Sequence, residues 1–171
     1  YKQTPLQANF GANMLALVNG EPQLLTLREF LPVFLDFRIE TITRRTQYRL
    51  RKAEERDHLL QGLLIALANL DAIIELIRHA ADAPTARQEL IGQYGLSDVQ
   101  ADAILQMQLR RLTALEAEKI HQEHDDLLSQ ITDLQDILAR RERILSIIET
   151  ELGELKATHA TPRRTVIEQL E

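Results

Sequence analysis

LLSQITDLQDILARRERILSIIETELGEL, residues 127–155, carries the strongest periodic signal in the chain. Leu127, Ile131, Leu134, Leu138, Arg141, Leu145, Ile148, Leu152 and Leu155 step by four and three throughout. That alternation lays side chains in one stripe along an α-helix. It amounts to roughly four heptads with one polar member, Arg141. The pattern predicts a long return helix over 113–156. A helix of that length reaches roughly 65–70 Å at about 1.5 Å per residue, and its apolar stripe needs a partner. The partner expected is an outgoing helix over 27–79, whose distal half carries Leu60, Leu63, Leu67, Leu70, Ile74 and Ile77. Its proximal half breaks the stripe with Arg49 and Arg56. The fold class expected is mainly all-α: a long antiparallel two-helix coiled coil, a small helical dimerisation domain at its tip, and a short β-hairpin near the N-terminus.

Glycine and proline punctuate helices, and their spacing supports this division. Only Gly62 falls between Pro32 and Pro84, and only Gly153 between Gly95 and Pro162. At the start, the apolar run Met14–Val18 is followed by Asn19-Gly20, a tight-turn signal, with Gln23–Leu25 as the returning strand. Thr26 and Glu29 then read as a capping box. Pro32, about a turn and a half further on, is expected to bend the helix. Residues 80–112 read as a compact turnaround. Pro84 suits a first helical turn, and Gly92 and Gly95 suit a helix end. Ser97/Gln100 and Thr113/Glu116 are further capping boxes. Residues 157–171 leave the return helix.

Composition excludes several classes. Apolar residues make up 44% and charged residues 27%, so the chain is no disordered tail. Aromatics at 4% suit Leu- and Ile-built helices better than a sandwich. The absence of cysteine excludes disulfides and thiolate metal sites. No apolar run is long enough to span a bilayer. A net charge of −6 argues against a uniformly basic nucleic-acid binder while leaving room for a local basic patch. The chain opens on Tyr1 rather than methionine and stops in a charged stretch, and it is expected to be a piece of a longer protein.

Glu-x-x-His occurs at Glu55/His58 and Glu118/His121, a spacing that puts two metal ligands on one helix face. A hairpin turning near residue 95 sets position 58 opposite about 132, so the two histidines miss each other by roughly 15 Å. They are expected to be solvated or flanking, and no metal is assigned. His124, beside His121, Glu123 and Asp125, falls on the seam between Ile120 and Leu127, where a polar residue sets register. Arg38, Arg44, Arg45, Arg49, Arg51, Lys52 and Arg56 cluster on the proximal outgoing helix, among only Glu40, Glu54 and Glu55. A solvated face with local ion pairs is the plain reading. A phosphate-facing surface is the functional one, because guanidinium groups match phosphate geometry. Arg163 and Arg164 follow the return helix, at the same end of a hairpin as that cluster. There is no phosphate-binding glycine loop. Tyr1, Tyr48 and Tyr94 are the only tyrosines, and none sits in a setting that marks a nucleophile. No catalytic residue is assigned.

Several phrases nonetheless match one family. They are Leu6-Gln7 with Phe10 and Asn13-Met14; Phe37-Arg38, Thr43-Arg44-Arg45-Thr46, Tyr48 and Leu50-Arg51-Lys52-Ala53; Ala66-Leu67 through Asp71 with Ile74-Glu75-Leu76-Ile77-Arg78; Gln100–Leu105 with Leu109, Leu112-Thr113 and Leu115-Glu116; and Arg163-Arg164-Thr165. In this order and over nearly its whole length, the chain resembles the A subunits of bacterial type IIA topoisomerases, those of gyrase more than those of topoisomerase IV. The turnaround lacks an insertion found in some enterobacterial gyrases, and Pro32 is not expected in every relative. The resemblance implies a cytoplasmic homodimeric A subunit working with an ATP-hydrolysing B subunit. The pair cuts one DNA duplex through a tyrosine and passes another through the break. ATP and magnesium belong to the cleavage site and the B subunit, so none is expected here. The catalytic Arg-Tyr pair of the family precedes this region, so the chain alone is expected to be inactive. Residues 1–26 resemble the end of the tower beside the DNA platform, the long helices its arms, and 80–112 its exit gate.

Within that picture Ile104, Leu105, Met107, Leu109, Leu112 and Leu115 are the expected dimer-gate residues, some of them shared with the tip's own core. Arg44, Arg45, Arg163 and Arg164 are the expected DNA-facing ones. The partners expected are a second copy through the tip, double-stranded DNA and the gyrase B subunit, with no membrane. The alternative is a structural coiled-coil spacer with a globular dimerisation tip and no part in DNA breakage.

Overall fold

The computed structural model describes residues 3–6, 8–107 and 114–166, with the side chains of 114 and 115 outside the description. The chain divides into two compact units, one of residues 1–43 with 144–171 and one of residues 44–143.

In the first unit, β1 (Leu15–Val18) and β2 (Glu21–Leu24) pair antiparallel, with Leu15 opposite Leu24 and Val18 opposite Glu21. The two turn residues, Asn19 and Gly20, have φ of 53° and 85°. Positive φ at both central positions matches the right-handed twist of the flanking strands, and Asn-Gly tolerates it best. Helix α1 (Leu27–Ala68) starts at the expected capping box. Glu29 accepts from the Thr26 amide at 2.8 Å and Thr26 Oγ1 accepts from the Glu29 amide at 3.4 Å. Pro32 lies inside α1 without ending it. It gives up its own bond to the Arg28 carbonyl and crowds that carbonyl with its ring. Arg38 on α1 pairs with Glu151 on α6 (Arg141–His159). Among the described residues of this unit, Ile42, Ile144 and Ile148 are the buried aliphatics.

The second unit departs from the expected pair of uninterrupted rods. The outgoing helix ends at Ala68, not at 79. After Asn69 the chain turns by 90° into α2 (Leu70–His79). Asn69 explains the break. Its side-chain amide donates to the Ile65 carbonyl at 2.9 Å, and its backbone N–H bonds Ala66 three residues back. An Asn that satisfies the backbone locally offers an alternative to the helical ladder. The return helix is also broken, into α5 (Ala114–Ala139) and α6 on either side of Arg140. There Asp136 pairs with Arg140 and Arg143, and Arg143 with Asp133 at 2.6 Å.

Between them, α3 (Ala83–Tyr94) and α4 (Asp98–Leu105) complete the tip. Asp82 caps α3 by accepting from the Thr85 amide at 2.9 Å, with Pro84 in the first turn as expected. Gly95 ends α3 at φ 64°, while Gly92 lies within it. The Ser97/Gln100 capping box is complete, whereas Thr113 lies outside the described residues.

The caps make a pH prediction. Hydrogen bonds from Thr85 hold the exposed Asp82 carboxyl below the usual carboxylate range, as bonds from Thr26 do for Glu29. A carboxyl whose pKa is lower folded than unfolded stabilises the fold above the usual range, and that contribution fades as pH falls through the folded value. The difference in thermal midpoint between the wild type and Asp82→Ala, measured by circular dichroism, should therefore be widest near neutrality and narrow towards about pH 3.

Leu60, Leu63, Ala66, Ile73, Leu90, Leu96, Ala101, Ile104 and Ile120 form one buried core. It draws on the end of α1, on α2, α3 and α4, and on the start of α5. Since α1 enters this core with its C-terminal end and α5 leaves it with its N-terminal end, the two run antiparallel. Their register differs from the expected one. Arg56 meets Glu123 at 2.7 Å and Asp57 meets His124 at 2.6 Å, so position 58 lies level with the turn around His121 to His124 rather than with 132. The cause is the break at Asn69, which ends the arm eleven residues early by sequence and shifts the midpoint of the hairpin towards the N-terminus.

Candidate functional site

The tip carries an apolar groove beside its buried core. A groove of about 240 Å³ is lined by Leu70, Ile73, Ile74, Ile77 and Arg78 from α2, and by Ile104, Leu105 and Met107 at the end of α4. The expected gate residues separate here. Ile104 is 3% exposed and belongs to the internal core. Leu105 and Met107 are half-buried, packed against that core at the groove. Leu109 and Leu112 lie outside the described residues, as does the side chain of Leu115 on α5. The contribution of α2 is hidden in the sequence, because Leu70, Ile74 and Ile77 continue the arm's periodicity. Asn69 is the available signal, a helix-competing residue inside an otherwise apolar run.

The α4 helix that ends in this groove is fastened to α1 at its other end. Gln100 is buried, and its side chain does two things. Its carbonyl accepts from the Ser97 amide at 2.9 Å, and its amide donates to the His58 carbonyl of α1 at 2.7 Å. His58 Nε2 lies 2.7 Å from Ser97 Oγ. Gly62 makes the approach possible, since a β-carbon there would stand 2.7 Å from Gln100 Cβ and Cγ. One turn back towards the arm, Asp57 is buried between His124 and Gln61, whose Nε2 donates to it at 2.8 Å. His58 and His124 are therefore engaged in joining helices, and His121 is exposed. Among the described residues no three His, Asp or Glu side chains converge as a metal site would require.

The basic stretch of α1 is partly committed to acids. Lys52 pairs with Glu55 at 2.8 Å and Arg56 is held bidentate by Glu123 at 2.7 and 2.9 Å. The Lys52–Glu55 contact raises the lysine pKa and lowers that of the carboxyl; the Glu123 contact likewise raises that of Arg56. Arg51 lies 6.0 Å from the centre of the Tyr48 ring. Arg44 and Arg45 are exposed in the second unit, and Arg163 and Arg164 are exposed in the first.

Residues 1–153 match the family described as the DNA gyrase/topoisomerase IV A subunit. The chain belongs to that family. It is 72% identical over 169 residues to the DNA gyrase A subunit of Synechocystis sp., which covers 99% of this chain and 20% of the relative. Identity is 52% over 168 residues to the gyrase A subunit of Dehalogenimonas lykanthroporepellens, covering 98% and 21%. It is 48% over 165 residues to that of Streptococcus pneumoniae, covering 96% and 20%. The chain thus spans about a fifth of the length of these gyrase A relatives. Among its described residues no single helix is long and apolar enough to cross a membrane.

Proposed function

We propose that this gyrase A-family chain is the coiled-coil and exit-gate segment of a DNA gyrase A subunit. It holds two A subunits together and opens to release a transported duplex during ATP-dependent double-strand passage. The apolar groove formed by α2 and α4 carries this reading. A gate must hold while DNA is cut and then part, and apolar contact is strong yet non-directional, so it re-forms without one obligatory geometry. Leu105 and Met107 are the gate residues the groove favours, with Leu70, Ile74 and Ile77 beside them. Leu109, Leu112 and Leu115 complete the proposed contact. The partner of the tip is a second copy, and the whole A subunit works in the cytoplasm with DNA and the gyrase B subunit. The cleavage site and the B subunit handle ATP and magnesium.

Sedimentation of the full chain should give a dimer at micromolar concentration. Leu105→Asp with Met107→Asp should give a monomer of unchanged helical content, since both side chains lie at the groove. A wild-type monomer that is fully helical would sink the gate reading. The proposed DNA-facing residues have a separate test. Replacing Arg44, Arg45, Arg163 and Arg164 by Ala should weaken duplex binding and flatten its dependence on log salt by up to about 3–4 in slope, close to one for each phosphate no longer neutralised. An unchanged slope removes them from the DNA surface.

A further inference from the structure

We propose that Gln100 is the positioning residue of the gate: its side chain latches α4 to the arm helix α1 and so sets where Leu105 and Met107 stand. The inference rests on the gate reading above and adds to it the element that orients the gate.

Helix α4 has eight residues, too few to hold its place without tertiary contacts. Its C-terminal end presents Leu105, followed by Met107, to the groove. Any rotation of α4 about its start would displace those side chains. At that start Gln100 forms two bonds in opposite directions. The first, from the Ser97 amide, is internal to the capping box and stabilises the helix alone. The second, from Gln100 Nε2 to the His58 carbonyl, reaches a different helix 42 residues away in sequence. That carbonyl already belongs to the helical ladder of α1, so the bond uses its second lone pair and nothing in α1 requires it. Capping alone would be served by a glutamate, which has no amide to donate. Around this bond the packing is close: Gln100 is 6% exposed, Gly62 leaves room for its Cβ and Cγ, and His58 closes on Ser97 Oγ at 2.7 Å. A buried, fully satisfied polar contact of this kind specifies one arrangement of the groups it joins more strictly than apolar packing does.

The test separates cap from latch. Gln100→Glu keeps the oxygen that accepts from Ser97 but sets a carboxylate against the His58 carbonyl. Gln100→Met removes both interactions at similar volume. The dimer dissociation constant of the full chain is measured by sedimentation, with helical content measured by circular dichroism. The latch predicts that both variants raise the constant about tenfold or more, with Gln100→Glu keeping the wild-type helical content. A Gln100→Glu variant that dimerises like the wild type while Gln100→Met does not would assign the effect to the cap and overturn the latch. Should Gln100→Glu lose helicity, Ser97→Ala gives the second reading, because it removes the capping hydroxyl but leaves the Gln100 bond to the His58 carbonyl: the latch predicts a constant within about twofold of the wild type, and a rise as large as that of Gln100→Met assigns the effect to the cap and overturns it. Leu105→Asp with Met107→Asp keeps the two readings distinguishable. If that pair breaks the dimer and neither Gln100 variant weakens it, the gate stands and the latch falls.

Discussion

Gly62→Ala should destabilise the chain by about 2–3 kcal/mol, although alanine inside a helix is ordinarily better than glycine by about 0.5–1 kcal/mol. The reversal comes from α4. A methyl on Gly62 would sit 2.7 Å from Gln100 Cβ and Cγ and 3.1 Å from Cδ. The Cβ atom is fixed to the α4 backbone, so the clash is not relieved by swinging the end of a flexible side chain. Either α4 moves away from α1, opening the core beneath it, or Gln100 leaves its place and gives up its bonds to Ser97 and His58. Each bond given up is worth about 1 kcal/mol, and overpacking a well-filled site adds about 1–3 kcal/mol. Gly92 provides the control. It also lies within a helix, α3, but a methyl there meets nothing within 4 Å. Gly92→Ala should therefore gain up to about 1 kcal/mol. Urea unfolding followed by circular dichroism at 222 nm would compare the two. Equal stability of the two variants would show that α4 does not press on α1 as described.

How far the fold was legible in the sequence follows from which signals are local. The hairpin was readable because Asn19-Gly20 is one of few dipeptides that accept two positive φ values. The helix starts at Thr26 and Ser97 were readable because a capping box is complete within four residues. The seam was not. On α1 it runs through Ile42, Thr46, Ala53, Asp57 and Leu60, all 5% exposed or less. Arg49 and Arg56, which break the stripe of large apolar residues, flank it. Thr46, Ala53 and Asp57 are small or polar, so a search for large apolar residues passes over them. Asp57 is admitted only because His124 and Gln61 satisfy it, the first of them 67 residues away. On the return side the expected stripe is kept in part: Leu134 and Ile148 are buried, Ile137 and Ile144 are buried beside the expected Leu138 and Leu145, and Leu152 and Leu155 are 42% and 55% exposed. The break at Arg140 is announced by no glycine or proline. Of the candidate gate, Leu105 and Met107 were legible as apolar residues at the end of a short helix. That Ile104 faces inward, and that Leu70, Ile74 and Ile77 of α2 join the groove, depends on the turn at Asn69, which periodicity alone does not reveal.

Leu90→Ala should be the most damaging single truncation in the tip, at about 3–5 kcal/mol. Leu90 has 0% of its surface exposed and lies in the core shared by five helices. Part of the loss is transfer. Returning the apolar atoms of a buried leucine towards water forfeits about 1.5–3 kcal/mol. The rest is the cavity, and here relaxation is restricted. Asp82 and Gly95 cap α3 at its two ends, and Arg87 on it is held by Asp102 at 2.7 Å and Asp98 at 3.0 Å on α4. The helix therefore cannot shift inward freely to fill the space. A cavity that cannot collapse adds about 24 cal/mol per Å³. A helix of twelve residues also has little stability of its own, and Leu90 and Ala86 are the residues of α3 buried most deeply. Two substitutions fix the scale. Leu90→Met, which conserves volume, should lose less than about 1.5 kcal/mol. Ile77→Ala, at a residue already 37% exposed, should affect the monomer far less than Leu90→Ala while weakening the dimer if the groove is the gate. The measurement is urea unfolding, with the slope of the transition examined as well as its midpoint. A lower slope with unchanged helicity in Leu90→Ala would mean that α3 detaches before the rest of the tip unfolds. A loss under about 1.5 kcal/mol at constant slope would mean that the core closes around the gap, contrary to the restraint argued from the caps and the Arg87 pairs.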